Sequence, residues 1–174
     1  GGGKSTLCNL IARFWDVDEG KVTLGGVNVK DYSMNNLMNN FSFVFQTVYL
    51  FADTIENNIK FGRQDATHEE VVAAAKKACC HEFISQLPNG YDTVIGEGGS
   101  SLSGGQKQRI SIARAIMKDA PVVILDEATA NVDPENEKDL MDAIAFKSVV
   151  RCAAVSVTVR VAVPFVQESP EMVR

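Results

Sequence analysis

Gly1-Gly2-Gly3-Lys4-Ser5-Thr6 stands at the start of the chain, and apolar residues follow it at Leu7, Leu10, Ile11 and Phe14. That recurrence has the i, i+3, i+4, i+7 spacing of a helix with one buried face, so a glycine loop feeds a helix. Gly3-Lys4-Ser5 matches the second half of a G-x-x-x-x-G-K-S/T phosphate loop, whose first glycine would lie before residue 1. Glycines let backbone N–H groups turn onto phosphate oxygens, and the helix N-terminus adds its partial positive charge. In such a loop Gly1, Gly2, Gly3 and Thr6 contact the nucleotide, Lys4 neutralises the β and γ phosphates, and the Ser5 hydroxyl completes a Mg²⁺ shell. Alone, the hexapeptide also reads as a flexible leader, so the assignment needs a second element.

That element is Pro121-Val122-Val123-Ile124-Leu125-Asp126-Glu127. An uninterrupted apolar, β-branched run suits a strand covered on both faces by helices. A phosphate-loop enzyme needs a carboxylate at the end of a buried strand to hold Mg²⁺, a duty that Asp126 fits. Glu127 is next to it, where a carboxylate can polarise the water that attacks a γ phosphate. The competing reading, two solvated acids ending an edge strand, sits poorly with the wholly apolar residues before them.

Between these elements lies Leu102-Ser103-Gly104-Gly105-Gln106, ahead of a helical period carried by Ile110, Ala113, Ile116 and Met117. Ser103 and the amides of Gly104 and Gly105 at a helix start form a second anion site. LSGGQ resembles the signature of the ATP-binding cassette (ABC) ATPase family and stands at that family's spacing before Asp126. The resemblance covers roughly residues 1 to 145 and implies a composite nucleotide pocket. In the family two such domains pack head to tail, and Ser103, Gly104, Gly105 and Gln106 would close over the γ phosphate held by the partner's phosphate loop. Gln46 matches the glutamine that senses Mg²⁺ and the attacking water and touches the membrane domain, so it joins Ser5 and Asp126 as a metal residue and Glu127 as a catalytic one. Ala130-Asn131-Val132-Asp133 takes the D-loop position, where the family more often has Ser-Ala-Leu-Asp.

The resemblance extends to subtype. Phe51-Ala52-Asp53-Thr54-Ile55-Glu56-Asn57-Asn58-Ile59 is similar to the F-x-x-T-I-x-x-N-I segment of exporter domains, and Ile95-Gly96-Glu97-Gly98-Gly99 to the exporter loop that contacts the transmembrane helices. It implies ATP and Mg²⁺ as ligands, and as partners a second nucleotide-binding domain and a transmembrane domain. The expected place is the cytoplasmic face of the cell membrane. The family's adenine-stacking aromatic lies upstream of the phosphate loop, and its switch histidine lies after the D-loop, where this chain has no His. A nucleotide-binding module without turnover is therefore the second reading. A soluble ABC ATPase of DNA repair or translation is the third, although the interval from Lys4 to Ser103 leaves no room for the coiled coil of repair members.

Composition agrees with one globular domain. The chain has 174 residues, 45% of them hydrophobic, and a net charge of −5 with no basic face, which argues against nucleic acid. The apolar stretch from Cys152 to Val166 is broken by Ser156, Thr158 and Arg160, short of the roughly 20 residues needed to cross a bilayer. Direct membrane insertion is not expected. Cys8, Cys79, Cys80 and Cys152 show no CxxC or zinc-finger spacing and are expected to be free thiols.

Elsewhere, Lys21 to Val29 predicts a hairpin about Gly25-Gly26, pairing Leu24 with Val27 and Val22 with Val29. Phe41 to Phe45 predicts a strand, Thr67 with Glu70 a capping box ahead of a helix over 68–80, and Asp133-Pro134 a helix through about Ile144. His68 within that box and His81 beyond the helix end take structural roles. Trp15 and Tyr32 are read as packing residues. The expected fold is α/β, a phosphate-loop NTPase with a RecA-like core whose largely parallel sheet is flanked by helices. A small antiparallel hairpin and an inserted helical subdomain complete it. Residues 1–46 and 117–147 form the core, 47–116 the helical subdomain with the signature, and 148–174 a divergent tail read as the product of a frameshifted or truncated gene.

Overall fold

The computed structural model describes the backbone of residues 4–125 and 148–151, with side chains over 6–125. The predicted D-loop, the helix after Asp133 and the apolar stretch from Cys152 to Val166 fall outside the described residues.

Helix α1 (Lys4–Ile11) starts where the glycine loop ends. It stops short of Phe14 because Arg13 takes a left-handed φ of 56°, which turns the chain out of the helix. Strands β1 (Thr23–Leu24) and β2 (Val27–Asn28) pair antiparallel as predicted, Leu24 opposite Val27. Gly25 and Gly26 supply the positive φ values, 58° and 85°, that a tight two-residue turn demands. The Val29 N–H closes the hairpin on the Val22 carbonyl at 3.0 Å.

Helix α2 (Met34–Asn39) is capped by the Ser33 side chain and runs into β3 (Phe41–Val44). Next come α3 (Ile55–Lys60), α4 (His68–Lys77), α5 (His81–Ser85) and α6 (Gly104–Lys118). The Thr67–Glu70 capping box is present on α4 with both reciprocal bonds. The helix nevertheless ends three residues before the predicted Cys80, since Cys79 takes a left-handed φ of 52°. His81 accordingly opens α5 and does not trail a helix C-terminus; its Nδ1 lies 2.9 Å from the Tyr91 hydroxyl.

The chain then returns to the sheet as β4 (Val122–Leu125), parallel to β3, and β5 (Ser148–Arg151) adds a third parallel strand on the far side of β4. A parallel pair demands a long crossover, which α3 to α6 provide. All four residues of β4 are buried. Val122 and Ile124 pack with Phe41 against Cys8 and Ala12, on the side of α1. Val123 and Leu125 pack with Val44 against Ile110, Ile112 and Ala113 of α6, in a cluster that continues through Ile55, Ile59, Val71 and Ile84. The unbroken apolar run is thus explained by two covered faces. Ser42 is the buried polar exception in β3, and its hydroxyl donates to the Ala115 carbonyl of α6 at 3.2 Å.

Tyr32 packs on the α1 side and donates its hydroxyl to the Leu24 carbonyl, as a packing residue should. Trp15 departs from that expectation at 57% exposed, two residues past the left-handed turn at Arg13. Neither Cys79 nor Cys80 is in a disulfide, and burial pushes the Cys80 thiol up to about 12. Cys8 is disulfide-bonded, so the expectation of four free thiols fails there. Which cysteines pair cannot be deduced from their spacing. No helix among the described residues is long and apolar enough to cross a membrane.

Candidate functional site

The predicted site residues fall into three groups. The first is the start of α1, where Lys4 and Ser5 form the opening helical turn and Thr6 is exposed. No acidic residue of that turn opposes an anion at the positive end of the helix. Gly1, Gly2 and Gly3 lie outside the described residues, as do the side chains of Lys4 and Ser5.

The second group gathers at the carboxyl ends of β3 and β4. In the parallel register Val44 lies opposite Leu125, so both strands finish at one edge of the sheet. Gln46 follows two residues after Val44 and is exposed. Asp126 and Glu127 follow Leu125 in sequence and lie outside the described residues. Crevices at the carboxyl ends of parallel strands are where open α/β sheets bind ligands.

The third group is the first turn of α6. Ser103 is its N-cap: the hydroxyl oxygen accepts the Gln106 N–H at 3.3 Å, and Gln106 Oε1 accepts the Ser103 N–H at 2.9 Å. This reciprocal box holds the turn in shape and leaves the Ser103 hydroxyl hydrogen free to donate outward. Ser103 and Gly104 are exposed and Gly105 is half-buried. A Cβ built on Gly104 would meet no atom of the chain within 4 Å, so nothing inside the fold requires glycine there.

The first two groups meet the sheet from the α1 side and from its edge, whereas α6 packs on the opposite face of β4. The two helix starts are therefore separated by the sheet. His68 and His81 are engaged with Glu56 at 2.7 Å and with Tyr91 at 2.9 Å, and no cluster of three or more His, Cys, Asp or Glu suited to a metal occurs among the described residues.

Reading the residues alone misses one node. Arg114 of α6 donates from Nε to the Asn58 carbonyl at 2.8 Å, from one terminal nitrogen to the Tyr49 carbonyl at 3.2 Å, and from the other to Asn58 Oδ1 at 3.0 Å. Its guanidinium also lies over the rings of Phe51 and Phe61 at 5.4 and 5.5 Å. Burial pushes it down to about 10. A charged residue between Ala113 and Ala115 in an otherwise apolar stretch was the available signal.

A helix opening at a G-K-S, a two-sided parallel strand leading to paired acids and a capped glycine turn on a second helix define a phosphate-loop NTPase domain. A model of the ABC transporter family matches residues 1–130, and the chain belongs to that family. It is similar to the ATP-dependent lipid A-core flippase of Haemophilus influenzae (strain 86-028NP), 53% identical over 145 residues, covering 83% of this chain and 25% of that protein. The flippase of the same name from Desulfotalea psychrophila (strain LSv54 / DSM 12343) is 53% identical over 144 residues, with the same coverage. A solved bacterial Atm1-family ABC exporter with ATP bound superposes with a TM-score of 0.82 at 40% identity, covering 86% of this chain and 27% of that one. The chain thus spans about a quarter of the length of the curated relatives it matches.

Proposed function

We propose that this chain is the ATP-binding and hydrolysing domain of an exporter, with its nucleotide site completed by a second such domain. The observation that carries the reading is the placement of α1 and α6 on opposite faces of β4. One nucleotide cannot bridge both helix starts of the same chain through the sheet. A second copy or a close relative, packed head to tail, would bring its signature turn over this chain's phosphate loop. The open space at Gly104 supports the same reading, since a phosphate approaching from outside would need it.

In this reading Gly1, Gly2, Gly3, Lys4, Ser5 and Thr6 cradle the phosphates, and Ser103, Gly104, Gly105 and Gln106 act on the partner's nucleotide. Ser5, Gln46 and Asp126 would hold Mg²⁺, which when bound neutralises phosphate charge. Their donor set of hydroxyl, amide and carboxylate oxygens is the hard one that Mg²⁺ prefers. Glu127 accepts the proton of the attacking water, and Gln46, at the mouth of the strand ends, orients that water. Residues 1–46 and 117–147 form the catalytic core and 47–116 the helical subdomain.

Tyr49, Phe51 and Phe61 are exposed beside the segment that follows Gln46, and they suit a transmembrane partner at the cytoplasmic face of the membrane. The relatives' names make a lipid A-core glycolipid the first substrate to assay. The test is phosphate release from MgATP by the full-length protein and its Glu127→Gln variant. Turnover lost with ATP binding retained supports the reading; undiminished release from the variant ends it.

A further inference from the structure

The segment after Gln46 and the helix carrying Ser103 belong to different parts of the chain, yet one side chain holds them together. Asn58, 1% exposed, uses its whole hydrogen-bonding capacity. Its Nδ2 donates to the carbonyls of Phe51 at 3.1 Å and Thr54 at 3.0 Å, while its Oδ1 accepts from the Phe51 N–H at 2.9 Å and from Arg114. Arg114 adds the Tyr49 and Asn58 carbonyls, so residues 49, 51 and 58 all hang from one guanidinium on α6. Among the described residues no carboxylate lies within ion-pair distance of Arg114. Its charge is met by carbonyl and amide oxygens and by two aromatic faces. Burying a guanidinium without a carboxylate partner carries a desolvation cost that these contacts offset. The planar fork is what fits three acceptors set at different angles, which a lysine cannot do. Along α6, Arg114 stands about 16 Å from Ser103 at 1.5 Å rise per residue, with unbroken helix between them.

We infer that Arg114 is a positioning residue that locks the exposed aromatic strap Tyr49–Phe51 to the signature helix, so that a displacement of the strap is passed to Ser103. The inference rests on the proposed reading for the consequence of moving Ser103, though not for the lock itself. Phe61 and Gly62 tighten the same joint. A Cβ on Gly62 would stand 2.3 Å from the Arg114 carbonyl, so the end of α3 is pressed against α6 at that residue.

The test compares Arg114→Met, which keeps the apolar stem, and Arg114→Lys, which keeps the charge, in the full-length protein with MgATP. Per mole of folded protein, kcat is expected to fall about tenfold or more in Arg114→Met and less in Arg114→Lys. KM for ATP is expected to change less than kcat, because the phosphate loop that holds most of the nucleotide lies across the sheet from Arg114. A purely structural role would reduce the folded fraction and leave kcat per folded molecule alone, which would overturn the inference. Hydrogen exchange gives a second readout: amides at 49–51 and at 103–106 should lose protection together in Arg114→Met while those of 41–44 and 122–125 hold. Loss at one segment only would also overturn it. If neither variant folds, native-state exchange of the unaltered protein decides, since the two segments must then open with one shared protection factor. A parent protein that hydrolyses no ATP would defeat the functional reading, and the exchange result would still decide the lock.

Discussion

Replacing Gly104 with alanine separates the demands of the fold from those of a partner's nucleotide. Gly104 is the first residue of α6, with ordinary helical backbone, and an added Cβ meets nothing within 4 Å. Alanine favours helix over glycine by about 1 kcal/mol in a helix interior, and by about half that in a first turn. The variant should therefore be no less stable, its melting temperature holding or rising slightly. Turnover should fall. If a phosphate lies against this turn, the new methyl group pushes it off the backbone amides, and losing a charge-assisted hydrogen bond costs about 1.5–3 kcal/mol. That converts to a roughly ten- to hundredfold drop in kcat. The assay pairs calorimetry with steady-state phosphate release on the full-length protein. An alanine variant that keeps its stability and hydrolyses ATP at the parental rate would refute the claim that anything docks there.

Gly62→Ala should behave in the opposite sense, because its Cβ would strike the Arg114 carbonyl at 2.3 Å and the Lys118 nitrogen at 2.9 Å. A loss of about 1–3 kcal/mol by urea titration is expected, and unchanged stability would mean that the α3–α6 joint is looser than described. Thr67→Ala removes the α4 cap and should cost about 1 kcal/mol in the same titration, with no effect on nucleotide binding. Burial raises the Glu56 carboxyl, but hydrogen bonds and charge from Lys60 and His68 outweigh that and leave it below its usual 4.5. Its contribution is thus complete above pH 4.5 and is lost as pH falls through the lowered folded value. Glu56→Gln should flatten that part of the acid-unfolding curve, and an identical curve would show that the carboxylate carries none of it.

Much of the fold was legible because it rides on short, local patterns. Val122 to Leu125 announced a strand covered twice, Thr67 and Glu70 announced a cap, and Gly25-Gly26 announced a hairpin; each depends on residues within a few positions. Helix ends were less legible. Arg13 and Cys79 adopt left-handed backbone without being glycine or asparagine, so no residue type marked the stops of α1 and α4. Helices α2 and α3, six residues each, are too short to show a period, although Ser33 and Thr54 cap them. The Arg114–Asn58 node joins residues 56 positions apart, and nothing local in one sequence says which carbonyls a guanidinium will find. At the proposed nucleotide site, Lys4, Ser5 and Gln46 have described backbones at the start of α1 and just past β3, while Asp126 and Glu127 follow β4 beyond the described residues.

Which chain supplies each side of the bound phosphate decides between a shared site and a self-contained one. A structure of the full-length Glu127→Gln protein with MgATP addresses that directly. The expected density places one γ phosphate within about 3 Å of donor atoms of Lys4 in one copy and Ser103 in the other, with Asp126 of the first copy on the metal. A phosphate held by Lys4 and Ser103 of the same chain, or a Lys4 remote from Asp126, would contradict it.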